Sequence, residues 1–228
     1  MNSREKGKAL IMAGLVEVDG IRVEKSGYPI PDSAVVEVKR PRVTYVSRGG
    51  HKLEAGITHF SVDVAGRTML DVGASTGGFT DCLLQHGARK VIAVDVGYGQ
   101  LDWKLRQDPR VTVLERTNIR HLQPQTLDAI PQGAVIDTAF ISLKQVIPAV
   151  MHLVADRAFV LALIKPQFEV GKGRVGKGGV VRDPALHQEI IEDLSRFFEG
   201  LNWHVMGHIP SPILGPKGNR EFLMYLKR

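Results

Sequence analysis

The sequence predicts an α/β protein: a doubly wound, mostly parallel sheet of Rossmann-like type that closes in a terminal antiparallel hairpin, with a small α+β unit ahead of it. Three observations predict it. Five short apolar or β-branched runs, at residues 68–72, 91–96, 111–114, 134–140 and 158–164, alternate with helical patterns at 79–86, 101–107 and 143–153. Two closing runs, 203–209 and 221–226, follow each other with no room for a helix between them, so they pair antiparallel. The first forty residues carry a different pattern, a helix and then short alternating strands.

Each element has a local reason. Polar and apolar residues at 3–12 fall at helical spacing, with Ser3 as N-cap and Gly14 as the stop. Residues 15–18 and 21–23 alternate about Asp19-Gly20, a strong two-residue hairpin signal, and 34–38 reads as a third strand. The stretch 39–50, with Pro41, spaced arginines and Gly49-Gly50, reads as a linker. The helix at 184–199 has Asp183 as N-cap, Pro184 in the first position and Gly200 at the end. It carries Leu186, Ile190, Ile191, Leu194, Phe197 and Phe198 on one face, which should cover the sheet.

Composition excludes several classes. The longest apolar run, 158–164, falls far short of the ~20 residues of a membrane helix, and residues 1–6 alternate charges with no apolar signal region. A cytoplasmic address without membrane partners is expected. The single cysteine, Cys82, cannot form an internal disulfide or a thiolate metal cluster, so no metal is expected. The net charge of +6 is unevenly placed: residues 1–48 hold nine Lys/Arg against six Asp/Glu, and residues 165–182 five against one. Two short basic segments suit a polyanion such as RNA, and 165–182 is expected to be a mobile loop that orders over it.

The chemistry-bearing motif joins the strand at 68–72 to a helix through Asp71-Val72-Gly73-Ala74-Ser75-Thr76-Gly77-Gly78. The dinucleotide fingerprint is Gly-x-Gly-x-x-Gly, whose helix start holds a pyrophosphate. Here the spacing is Gly-x-x-x-Gly-Gly. S-adenosylmethionine carries no phosphate, and its ammonium group would be matched by a carboxylate such as Asp71 or by strand-end carbonyls. Asp95, 22 residues after Gly73 at the next strand end, is placed to accept both ribose hydroxyls. Asp137, Lys165 and Glu221 fall at strand ends around the same cleft, and Lys52 comes from the first helix after the linker.

The chain resembles TlyA-type RNA methyltransferases, also called the hemolysin A family, whose catalytic domain is FtsJ-like. The resemblance runs over nearly the whole chain and rests on Ser47-Arg48-Gly49-Gly50-His51-Lys52-Leu53, on the glycine-rich turn through Phe79-Thr80, and on Phe140-Ile141-Ser142-Leu143. Lys165-Pro166-Gln167-Phe168-Glu169, Gly176 through Pro184, and Gly218-Asn219-Arg220-Glu221-Phe222-Leu223 complete it. It implies S-adenosylmethionine-dependent methylation of the ribose 2′-oxygen of cytidine in ribosomal RNA, with ribosomal RNA or ribosomal subunits as partner. Lys52, Asp137, Lys165 and Glu221 would be the catalytic set. Asp71, Gly73, Ser75, Gly77, Gly78, Asp95 and Asn118 would hold the cofactor, Asn118 lying near the adenine or serving as a helix cap. Members open with a complete small RNA-binding domain whose first helix would precede residues 3–6. That helix is absent from the sequence, so 1–40 is expected to be a partial RNA-binding domain, 41–50 a linker and 51–228 the methyltransferase domain. Thr138-Ala139 stand where the family commonly has Val-Ser.

Other chemistries fit less well. Pyrimidine C5 methylation needs a cysteine nucleophile, and Cys82 falls in the helix after the glycine turn. Exocyclic-amine methylation usually uses a Pro-Pro-aromatic cradle where Thr138-Ala139-Phe140 stand. A ribose hydroxyl needs in-line placement and an outlet for its proton, and Lys165 would either take that proton or stabilise the developing alkoxide. A membrane-active hemolysin-like protein and a non-catalytic ribosome-binding factor are the alternatives. The first lacks a long apolar or strongly amphipathic helix, and the second would not need all four catalytic residues.

Overall fold

The computed structural model describes residues 3–12, 15–38, 44–171, 173–176 and 178–228. The chain divides into two compact units, Met1–Thr44 and Tyr45–Arg228. In the first, helix α1 (Ser3–Met12) precedes strands β1 (Val16–Val18), β2 (Ile21–Val23) and β3 (Val36–Val38), ordered β2-β1-β3 and antiparallel throughout. Asp19 and Gly20 both have positive φ, 50° and 79°, which gives a two-residue hairpin its twist and brings Val18 opposite Ile21. Val16, Val18 and Val23 are buried, while β3 is exposed along its length. The expected stop at Gly14 and the stretch 39–43 lie outside the described residues.

The second unit runs α2 (Gly49–His59), β4 (Thr68–Val72), α3 (Gly78–Gln85), β5 (Lys90–Val94), α4 (Trp103–Arg106), β6 (Val111–Leu114), β7 (Gly133–Ile136), α5 (Leu143–Met151), β8 (Phe159–Ile164), α6 (Pro166–Glu169), α7 (Pro184–Glu199), β9 (His204–Pro210) and β10 (Phe222–Lys227). Its seven strands are ordered β6-β5-β4-β7-β8-β10-β9. The first five are parallel, and β10 runs antiparallel to both β8 and β9. The strand order reverses at β4, whose neighbours are β5 and β7, so the loops leaving β4 and β7 part there and open a crevice at their carboxyl ends. One apolar layer packs α5 and α7 on the sheet around Ile147, Leu194, Phe198 and Trp203; the opposite layer packs α2 and α3 around Leu53, Leu83 and Met69. Helix α7 has the bounds and the Asp183 cap its sequence predicts, the carboxylate accepting the Ala185 N–H at 2.9 Å.

Several expectations need correction. The run 134–140 is strand only as far as Ile136, and 91–96 only as far as Val94, so Asp137 and Asp95 stand beyond their strands. Gly49 and Gly50 open α2 rather than end a linker, because the Tyr45 ring covers the helix start. A Cβ on Gly50 would come within 2.2 Å of that ring. The loop 165–182 is partly built: Pro166–Glu169 is a helical turn, and Arg174 forms a two-pronged bridge to Glu189 of α7 at 2.6 and 2.5 Å. Lys172 and Lys177 lie outside the described residues.

Candidate active site

A cavity of about 830 Å³ opens at the reversal point, lined by the turns after β4, β5 and β7, by the start of α2 and by residues 213–216. The glycine turn is shaped by close approach. Gly73 has φ 85°, and a Cβ there would meet the Asp137 carbonyl oxygen at 2.7 Å, so a side chain would force β4 and β7 apart at their ends. Beside it Ser75, at φ 49°, turns its N–H onto Asp95 Oδ2 at 2.8 Å, and Asp95 Oδ1 accepts the Gly97 N–H at 2.6 Å. Two backbone donors thus fix the Asp95 carboxylate at the cavity wall with lone pairs to spare. Asn118 also lines the cavity, while its side chain caps the turn Ile119–His121 by accepting from Arg120 N at 3.1 Å. The cap is thus observed, and the side chain stands beside the cavity.

Two ion pairs line the same cavity. Lys52 Nζ from α2 stands 2.6 Å from Glu221 Oε2, the carboxylate being fully buried just before β10. Lys165 Nζ, one residue past β8, stands 2.5 Å from Asp137 Oδ1, one residue past β7. The structure therefore brings Lys52, Asp137, Lys165 and Glu221 to one cavity. Glu221 Oε1 is buried with no hydrogen-bond partner, and Gly215 packs so close that a Cβ would come within 2.0 Å of it.

Not every residue picked from the sequence reaches the cavity. Asp71 does not line it. On β4, buried on both faces, its side chain turns toward α3, where Oδ2 accepts the Thr80 hydroxyl at 2.6 Å and Oδ1 has no partner. Burial pushes this carboxyl up to about 7, the Thr80 hydrogen bond opposing and the Asp137 and Asp95 charges adding. Gly77 is also withdrawn: at φ 96° it caps α3, and a Cβ would strike Leu105 at 2.2 Å, so it serves packing against α4. Gly78 does line the cavity. Cys82 is buried in the α2–α3 layer, which pushes its thiol up to about 12 and removes it as a nucleophile.

Two residues with no assigned role matter. Phe140, in the run expected to be strand, has φ 62°, is 90% exposed at the cavity rim and rests its ring 5.0 Å from that of Phe168. Glu169 fastens α6 to α5, accepting the Leu143 N–H at 2.9 Å and the Ser142 hydroxyl at 2.6 Å. Both stand in motifs quoted above, yet only φ and partners reveal what they do.

Comparison with known proteins agrees with this geometry. A family model of FtsJ-like methyltransferases matches residues 45–228. The 16S/23S rRNA (cytidine-2′-O)-methyltransferase TlyA of Mycobacterium tuberculosis is 47% identical over 99% of this chain and 84% of its own length. Hemolysin A of Brachyspira hyodysenteriae is 41% identical over 98% of this chain and 93% of its own. A solved hemolysin-type structure from Streptococcus thermophilus superposes with a TM-score of 0.80 at 43% identity, covering 100% of this chain and 84% of that one. With a doubly wound sheet, a glycine-rich turn at its reversal point and matches of this extent, the chain belongs to the FtsJ-like methyltransferases, in the group that contains TlyA and hemolysin A.

Proposed function

We propose that this protein transfers a methyl group from S-adenosylmethionine to the ribose 2′-oxygen of a cytidine in ribosomal RNA. The observation that carries the reading is the pair of ion pairs, Lys165–Asp137 and Lys52–Glu221, lining the same cavity as the Gly73–Ser75–Asp95 cradle. The cradle fits the cofactor: Asp95 offers free lone pairs to ribose hydroxyls, Gly73 leaves no side chain between β4 and β7, and the volume lies within the usual range of ligand sites. Bound there, S-adenosylmethionine supplies an electrophilic methyl group on sulfur.

The chain's own residues supply placement and charge. Lys165, oriented by its ion pair with Asp137, donates a hydrogen bond to the 2′-oxygen and stabilises the negative charge that develops as the hydroxyl proton passes to solvent at the open cleft. Lys52 adds a second positive charge, itself oriented by the buried Glu221 carboxylate. Phe140 offers its exposed ring for a cytosine swung out of its helix, since an unstacked base recovers stacking energy on an aromatic face. The curated relatives' names support ribosomal RNA as the substrate, and residues 1–40 are proposed as the unit that adds RNA affinity. A ribosomal substrate puts the protein in the cytoplasm, and no described helix is long and apolar enough to cross a membrane. The membrane-active and non-catalytic readings are not favoured by the relatives' rRNA methyltransferase names or by the assembled cavity.

The test is transfer of labelled methyl to ribosomal subunits and naked ribosomal RNA, followed by mapping of the modified nucleotide. Incorporation should be RNA-dependent and lost when the target cytidine is replaced by 2′-deoxycytidine. A folded, cofactor-binding protein that labels no RNA would sink the reading.

A further inference from the structure

We infer a second RNA contact at the far end of the sheet, a phosphate-binding pocket framed by Arg67, Arg157 and Lys227. A separate cavity of about 370 Å³ opens at the amino ends of the parallel strands, where β8 begins at Phe159 and β10 ends at Lys227 opposite it. Its inner wall holds the buried rings of Phe159 and Tyr225. Two of its cations lie against those rings: the Arg67 guanidinium 5.8 Å from the centre of Phe159, and Lys227 Nζ 5.5 Å from that of Tyr225. Arg157 and Lys227 are exposed, and among the described residues neither is paired with a carboxylate. Asp63 is the one acid lining the cavity among the described residues, its Oδ1 already taken by the Ala65 N–H and its Oδ2 a loose 3.8 Å from Arg67.

This pattern departs from other cations on the same body. Arg106, Arg110, Lys144 and Arg174 are each spent on a carboxylate, Glu115, Asp108, Asp193 and Glu189 respectively. Ring contacts hold the stems at the far pocket without neutralising the charge, which leaves donors for an oxyanion. The residues come from three distant stretches, 61–67, 157–159 and 225–228, so no charge run marks the site in the sequence.

The occupant is a backbone phosphate of the RNA being methylated, and the inference rests on RNA being the substrate. The six residues of β8 separate the pocket from Lys165, about 20 Å at ~3.3 Å per residue. A folded RNA spans that distance and a mononucleotide does not. Once the cleft holds one part of the RNA, a second phosphate arrives at high effective concentration, so even a weak contact raises affinity and fixes orientation.

The experiment uses the full chain, its Arg157→Ala/Lys227→Ala variant and the charge-keeping Arg157→Lys/Lys227→Arg variant. The alanine variant should bind ribosomal RNA about 5- to 20-fold more weakly at 0.1 M KCl. Its log affinity should fall less steeply with log salt, by about 0.7–0.9 per lost phosphate. KM for RNA should rise with kcat unchanged, S-adenosylhomocysteine binding and Tm should match the parent, and the charge-keeping variant should recover most of the affinity. An alanine variant that melts and binds S-adenosylhomocysteine like the parent, with the same RNA affinity and salt slope, overturns the inference. So does displacement of RNA from the parent by polyglutamate at equal charge concentration, which would assign the pocket to an acidic protein. Binding of inorganic phosphate that the substitutions abolish, without any change in RNA affinity, overturns it as well. A parent that labels no RNA, yet loses RNA affinity on these substitutions, would refute the enzymatic proposal and leave the pocket standing.

Discussion

Lys165 sits one residue beyond β8 in an ion pair with Asp137, and its substitution separates a chemical role from a counter-ion role. Lys165→Ala should cut turnover on the order of a hundredfold or more while cofactor and RNA affinities hold, the mark of an interaction made only in the transition state. A counter-ion role would instead lower Tm, with activity following the folded fraction. Asp95→Ala removes the carboxylate that Ser75 and Gly97 fix, and calorimetry should show weaker binding of S-adenosylhomocysteine; unchanged affinity would remove Asp95 from the cofactor site. Asp71 belongs to stability rather than binding. Its folded carboxyl titrates near 7 against roughly 3.9 when unfolded, so the folded state binds its proton more tightly. That contribution to stability is complete below about pH 4 and lost as pH rises through about 7. Asp71→Asn should therefore gain Tm relative to the parent as pH rises from about 4 to 7, and parallel melting curves over that range would refute the assignment. That Lys52, Asp137, Lys165 and Glu221 share one cleft was legible from their places at strand ends and on the first helix, while their grouping as a set came from the family resemblance. Asp71 was not legible, because a strand buried on both faces gives no alternation to show which way a side chain turns, and Gly77 was not, because its close approach to Leu105 needs α4 to be docked.

At the level of elements, helices and strand starts were easier to read than strand ends. Helix α7 announces itself by cap, proline and apolar stripe. The run 134–140 misleads because Phe140 is apolar and exposed: periodicity reports hydrophobicity, and an aromatic kept at a cavity rim counts the same as one in a core. Likewise the bridge from Arg174 to Glu189 joins residues whose proximity needs α7 to be docked. The junction of α5 and α6 yields a prediction of its own. Glu169→Ala strips the Leu143 N–H and the Ser142 hydroxyl of their acceptor and should cost about 1–3 kcal/mol, measured by urea denaturation. Because α6 directly follows Lys165, turnover should fall further than the folded fraction; loss of stability alone would show that α6 does not position the lysine.

On the scale of the molecule, both apolar layers of the second unit are built from residue 45 onward. A chain starting at Tyr45 should melt cooperatively and bind S-adenosylhomocysteine. One starting at Arg48 loses the Tyr45 ring over Gly50 and the bond from Val46 N–H to Asp81. It should melt several degrees lower, at ~2–4 °C per kcal/mol; equal melting would show those contacts to be idle. The two-unit character was legible from the change of pattern, whereas the far pocket was not, since its three stretches converge only once β8 and β10 pair. That pairing bears on synthesis. Strand β10 is the last of the ten to leave the ribosome, yet it lies inside the sheet, between β8 and β9. During translation β9 has no neighbour to join, and Glu221, just ahead of β10, cannot reach Lys52 until the final strand inserts. A chain that has not yet added β10 therefore holds Lys52 without its carboxylate partner.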